Sequence, residues 1–155
     1  MNKLTLGLLT TIIFISSCSQ VKSTNPVPQS LPTPTNSWTV DLTQSGGLAG
    51  VLLTVEVTSD GQLKAADKRS NNSVTNVLPP EKTNELKRLI SNLSQGGSQS
   101  PSSSCADCFI YDLEIRTEGK DIQIHVDDVT IKKSGSQDLI TTLIMLRDSA
   151  LKPNP

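Results

Sequence analysis

Trp38-Thr39-Val40-Asp41-Leu42-Thr43-Gln44, then Ser45-Gly46-Gly47-Leu48-Ala49-Gly50, then Val51-Leu52-Leu53-Thr54-Val55-Glu56-Val57-Thr58: this stretch decides the fold. Its two flanks alternate apolar and polar residues with period two, the signature of half-buried strands. Between them sit three glycines, which can take positive φ or let another backbone approach closely. The segment predicts two antiparallel strands joined by a turn. Asp60-Gly61 follows as a tight hairpin turn into a third strand near Gln62–Asp67, expected to lie at an edge of the sheet. Residues 69–76 are polar and read as either an irregular edge or a loop.

Moving toward the C-terminus, Pro79-Pro80-Glu81 opens a helix, because proline is tolerated in a first turn where its missing N–H is not needed. Leu86, Leu89, Ile90 and Leu93 recur at helical spacing, with Lys87 and Arg88 on the watery side. Gly96-Gly97 ends that helix, and residues 98–104 form a low-complexity loop. Phe109, Tyr111, Leu113 and Ile115 then alternate with polar or smaller neighbours, Glu118-Gly119 turns the chain, and Ile122, Ile124 and Val126 mark a partner strand. Ser136 stands where it could cap a last helix with the stripe Leu139, Ile140, Leu143, Ile144 and Leu146, closed by Pro153. The order β-β-β-α-β-β-α predicts an α+β domain: an antiparallel sheet of about five strands with two helices on one face.

Toward the N-terminus, Lys3 precedes an apolar run from Leu4 to Ile15, and Ile15-Ser16-Ser17-Cys18 closes it. The run is about a dozen residues, short of the ~20 that span a bilayer. A basic residue, a short greasy segment and small residues before a cysteine are the layout of a bacterial lipoprotein signal peptide. Residues 1–17 are read as that signal, and Cys18 as the site of lipid attachment. Two or three acyl chains hold a protein to a membrane stably. Residues 18–36 carry four prolines and few large apolar side chains, the composition of an extended tether. Residues 37–152 remain as one domain. The predicted location is the bacterial cell envelope, outside the cytoplasm.

Removing residues 1–17 takes away one lysine and no acid, moving the formal charge from −1 to −2. That argues against a nucleic-acid partner, which requires a basic face. With aromatic residues at 3%, the chain has no stacking platform for carbohydrate. Once Cys18 is assigned to lipid, Cys105 and Cys108 form an even pair in an oxidising compartment and are read as a local disulfide pinning the loop to the following strand. Two alternatives stay open for the pair. A redox dithiol needs a thiol of depressed pKa, commonly at a helix N-terminus; a zinc site needs four ligands, and His125 is the one obvious third. His125, the single histidine, shares a sheet face with Gln123 and Asp127 by strand parity, and reads as a surface or half-buried structural residue. Asp121, Asp127 and Asp128 lack the spacing of a calcium loop. No Gly-x-Ser-x-Gly turn, His-Glu-x-x-His, phosphate loop or dinucleotide fingerprint occurs. No catalytic residue, cofactor or metal is predicted.

Three stretches together carry a resemblance: Gln44-Ser45-Gly46-Gly47-Leu48-Ala49-Gly50, Ala106-Asp107-Cys108-Phe109-Ile110-Tyr111, and the closing helix 139–151. Their order resembles the emfourin-like family of small protein inhibitors of protealysin-type, thermolysin-like zinc metallopeptidases, over residues 38–151. The chain departs from that pattern in Gln44 where the family often has Arg, in Leu48 where it often has Phe, in the cysteine pair, in the lipoprotein signal and in the insert 92–105. The resemblance implies a partner-binding surface of Ser45, Gly46, Gly47, Leu48 and Gly50, with Asp107 and Tyr111 at the contact or supporting it. It implies inhibition by occluding a peptidase cleft. On this reading, valine at Gly46 and Gly47 is expected to abolish binding and leave the domain folded. Two other functions stay open from the residues: an adaptor or structural envelope lipoprotein with no peptidase target, and a thiol oxidoreductase built on Cys105 and Cys108.

Overall fold

The computed structural model describes residues 37–96 and 105–152. Cys18, the segments read as signal and tether, Pro153 and the Ser-rich loop 98–104 lie outside the described residues. The domain is one six-stranded sheet, antiparallel throughout, with two helices on one face. Its strands are β1 (Trp38–Gly46), β2 (Val51–Thr58), β3 (Gln62–Asp67), β4 (Asn72–Val77), β5 (Phe109–Thr117) and β6 (Lys120–Asp127). Their spatial order is β4-β3-β2-β1-β5-β6, so the first strand lies in the interior between two meanders. Helices α1 (Pro80–Gly96) and α2 (Gln137–Leu151) complete the α+β domain.

The number of strands and the edge both differ from expectation. The polar stretch after residue 69 is an ordered strand, β4, which displaces β3 from the edge to the interior. The β3–β4 turn is closed by the Asp67 carboxylate, which accepts the amides of Arg69 (2.9 Å) and Ser70 (3.3 Å), and by Asn71 at φ 53°. Asparagine is among the few side chains that tolerate this left-handed conformation. Strand β4 escapes a hydrophobicity reading because only Val74 packs against the core, while its other side chains meet water.

Alternation sets the two faces of the sheet. Val40, Leu42, Val55, Val57, Leu63, Leu113, Ile115, Ile122 and Ile124 all face the helices and are buried. Leu86, Leu89, Ile90 and Leu93 from α1 and Leu139, Ile140 and Leu143 from α2 meet them in one cluster. Of the expected α2 stripe, Ile144 and Leu146 are only partly buried, and the position after them, Arg147, is buried instead. Ser136 precedes α2 but caps it through its carbonyl, which accepts the Ile140 amide at 3.0 Å; its hydroxyl pairs with Ser134. A short 3-10 turn over Ile131–Lys133 links β6 to α2.

Candidate functional site

One end of the sheet gathers most of the residues singled out by sequence. Strand β1 leaves the sheet at Gly46 and β2 enters at Val51, so residues 47–50 form the turn, closed by the Gly50 amide donating to the Gly47 carbonyl at 2.9 Å. The other neighbour of β1 is β5, in a register that sets Gln44 opposite Tyr111 and Gly46 opposite Phe109. The Gly-rich turn and the Cys105–Tyr111 segment, about sixty residues apart in sequence, are thereby placed side by side.

The turn is anchored from three sides. The Gly47 amide donates to the Cys108 carbonyl at 3.1 Å. That approach requires glycine: Gly46 sits at φ +87°, and a Cβ there would lie 2.8 Å from the Cys108 carbonyl oxygen. A Cβ on Gly47 would meet the Phe109 ring at 2.5 Å. From the opposite flank, Arg69 in the β3–β4 turn donates Nη1–H to the carbonyls of Ala49 and Gly50, the latter at 3.0 Å. From below, Arg147 of α2 is 2% exposed and donates Nη1–H to Gln44 Oε1 at 2.8 Å. Its Nε and Nη2 both reach Asp148 Oδ1 at 2.8 Å. A buried guanidinium needs such partners, since an unpaired charge out of water is strongly unfavourable.

Phe109 and Tyr111 are fixed by a fourth element. The β6 exit is an Asp127–Thr130 turn in which the Asp127 carboxylate accepts from Val129 N (3.0 Å), Thr130 N (2.9 Å) and Thr130 Oγ1 (2.8 Å). Burial pushes the Asp127 carboxyl up, but these hydrogen bonds outweigh it and hold the group below the usual range. The turn aims Asp128 back at β5. Its Oδ2 accepts the Phe109 amide at 2.8 Å and its Oδ1 accepts the Tyr111 hydroxyl at 2.9 Å. Tyr111 is 6% exposed, and burial followed by the Asp128 bond pushes its phenol up to about 12. Tyr111 is therefore buried behind this surface, with its hydroxyl committed to Asp128.

This end presents two exposed apolar side chains among exposed polar ones, Arg69, Asp107 and Asp128. Leu48, at the apex, is 92% exposed, and Val129, next to Asp128, is 62% exposed. Asp107 lies exposed in the small ring closed by the Cys105–Cys108 disulfide, whose Cα atoms are 5.5 Å apart. Ser45 stays in the β1 ladder, half-buried between Leu52 and Ile110. Gly46 and Gly47 are needed to let the turn dock. Valine there would collide with Cys108 and Phe109, so the substitution strains the turn itself as well as any contact the turn makes.

The sheet face away from the helices carries a further group of ionisable side chains. Asp41, Glu56 and Glu114 lie in one row across β2, β1 and β5, joined to Lys64 (2.8 Å from Glu56) and Arg116 (2.6 Å from Glu114, 3.2 Å from Asp41). Partial burial, then the Glu56 charge, push Asp41 above the usual carboxylate range, against the pull of Arg116. In the adjacent row His125 Nδ1 lies 2.6 Å from Asp112 Oδ1. His125 is thus on the open face, as strand parity indicates. Among the described residues, no three His, Cys, Asp or Glu converge to hold a metal ion. No described helix is long and apolar enough to cross a membrane.

The sequence reading missed Asp128, Arg69 and Arg147, although they hold the turn and the strand beside it. Only Arg147 left a signal: a charged residue at a core position of the α2 stripe. No protein-family model matches the chain, and no curated protein matches it.

Proposed function

We propose that this chain is a lipid-anchored extracytoplasmic binding protein that offers the Leu48 turn to a groove on a partner protein. The observation that carries the reading is a nearly fully exposed leucine on a backbone fixed by hydrogen bonds on both flanks. A lone exposed leucine is ordinary on a soluble surface. A leucine at the apex of a held turn is different, because little conformational freedom remains to be lost on binding. The resemblance of the Gln44–Gly50 and Ala106–Tyr111 segments to emfourin-like inhibitors supports a thermolysin-like zinc metallopeptidase as the partner class. The chain would act by filling the cleft, with no chemistry of its own.

The test is titration of the full chain, in detergent micelles, against a panel of thermolysin-like peptidases, with Leu48→Asp alongside. Stoichiometric inhibition lost in Leu48→Asp supports the proposal. Absence of inhibition by the wild-type chain at micromolar excess refutes the peptidase target and favours an adaptor lipoprotein. Equal inhibition by both chains removes the turn from the contact.

A further inference from the structure

We propose that the outer edge of β4 is a pairing surface for a second copy of this chain, joining two sheets into one across a two-fold axis. The direction of the backbone groups defines the surface. The Leu78 amide donates to the Gly61 carbonyl at 2.8 Å, and the Lys68 amide to the Leu52 carbonyl at 2.9 Å. In antiparallel strands the bonded positions recur at every second residue. In the observed registers, Asn72, Val74 and Asn76 therefore turn their N–H and C=O toward β3, while Ser73, Thr75 and Val77 turn theirs outward. Among the described residues, no strand lies beyond them.

The two edges of the sheet differ in chemistry. Strand β6 carries Lys120 and Asp121, and charged side chains are a usual protection of an edge. Strand β4 has neither charge nor proline, and its side chains apart from Val74 are exposed. Antiparallel pairing with a second copy, centred on Thr75, sets Ser73 opposite Val77 and Thr75 opposite Thr75. Every outward backbone group then meets its counterpart in the other copy. Val74 falls opposite Asn76 on the helix side, and no like charges are opposed within the strand. The match extends past the strand ends. The β3–β4 turn of each copy, with Lys68 and Arg69 exposed, comes to the first turn of α1 in the other, with Glu81 exposed. Lys82 beside Glu81 is engaged by Glu85 at 2.9 Å. A strand that complements itself, flanked by opposite charges at both ends, makes a second copy the occupant.

The helix layer leaves room for this pairing. Helix α2 packs on β2, β3 and β4. With strands about 4.8 Å apart, the β3 strands of the two copies lie about 14 Å apart, enough for a helix over each at the usual spacing of about 8–10 Å. The two-fold is perpendicular to the sheet, so both helix layers share one face. Arg69 ties the Leu48 turn to the same end of the sheet as the β3–β4 turn. Antiparallel pairing therefore sends the two Leu48 turns to opposite ends and leaves both open. The pairing does not depend on what Leu48 contacts.

The experiment is sedimentation equilibrium of the full chain in density-matched detergent micelles, over the micromolar to millimolar range. The wild-type chain is expected to form dimers. Thr75→Pro removes the outward N–H of the central pair, which the lone domain does not use. Losing one hydrogen bond per copy should weaken the dimer by roughly thirtyfold, while the melt read from Trp38 fluorescence shows that the domain still folds. Thr75→Cys, mildly oxidised, should form a disulfide between copies, because residues paired across the axis have Cα atoms about 5.5 Å apart. That link is mapped by mass to tryptic peptide 70–82 joined to itself, apart from any link made by Cys18, Cys105 or Cys108. A wild-type chain that stays monomeric throughout overturns the proposal. So does a dimer that Thr75→Pro leaves equally strong, which would place the contact elsewhere. If Thr75→Pro fails to fold, the disulfide decides alone: formation above the level seen with Gln123→Cys on β6 supports the pairing, and formation at that level overturns it.

Discussion

Alanine at three glycines separates backbone strain from contact at the base of the exposed turn. A Cβ on Gly119 would meet nothing within 4 Å, and its φ is not positive; Gly135 has open space but φ +71°; Gly46 has both φ +87° and the Cys108 carbonyl at 2.8 Å. Placing an L-residue in the left-handed region costs about 1–2 kcal/mol. Replacing glycine by alanine also reduces unfolded-state entropy, which offsets about 0.4–1 kcal/mol. Gly119→Ala should therefore be neutral or slightly stabilising, and Gly135→Ala should lose about 0–1.6 kcal/mol. At Gly46 the Cys108 carbonyl must also withdraw, breaking the Gly47 hydrogen bond for about 1 kcal/mol more, so the net loss should be about 2 kcal/mol. Trp38, the single tryptophan, is buried at the start of β1 and reports unfolding by fluorescence. With a urea slope of about 1–3 kcal/mol per molar, Gly46→Ala should lower the midpoint by about 1 M at unchanged slope. A Gly46→Ala midpoint no lower than that of Gly135→Ala would refute the docking of the turn on β5.

Leu48→Asp should leave the stability read from urea melts within about 0.5 kcal/mol of wild type, because an exposed apex contributes almost nothing to the core. Stability should fall as pH rises from about 10, the ordinary phenol value, to about 12, the Tyr111 value, since the folded state holds that proton more tightly than the unfolded chain. The stabilisation is complete below pH 10, the ordinary phenol value, and urea melts of Tyr111→Phe across this window should lack the decline. Arg147→Met should cost about 2 kcal/mol by leaving Gln44 Oε1 buried without its donor, whereas Gln44→Leu/Arg147→Met should recover part of that loss. Additive losses in the double-mutant melts would show that the two side chains do not act as a pair.

Strands whose alternate residues are large and apolar were legible in the sequence, and β3, placed by the Asp60-Gly61 turn, falls on Gln62–Asp67 as read. The same signal is silent for β4, where one inward valine is the whole hydrophobic pattern and pairing is held by backbone and by the Asp67 turn. At the end of the sheet that carries Leu48, the Gly-rich turn was visible because glycine identity is itself the signal. Its supports were not visible, because each is a long-range hydrogen bond from a polar residue that looks like surface. Arg69 lies in a stretch that read as either an irregular edge or a loop, and Asp128 looked like one of several scattered aspartates. Tyr111, set opposite Gln44 by a register that only the interior position of β1 creates, has its hydroxyl committed to Asp128.

That interior position explains why the turn at this end of the domain is held so firmly. A first strand with β2 on one side and β5 on the other lets its exit turn lean on two separate loops, one carrying Arg69 and the other Cys108. An edge strand would offer one. The buried Arg147 adds a third support from the helix layer, close beneath the last turn-proximal pair of β1 and β5. Charge buried for stability alone gains little, since an apolar pair of the same volume often does as well. Its geometry here fixes Gln44, and through Gln44 the end of β1 from which Ser45 and Gly46 project. The polar residues that look out of place in the core are thus the ones that hold the apolar apex still.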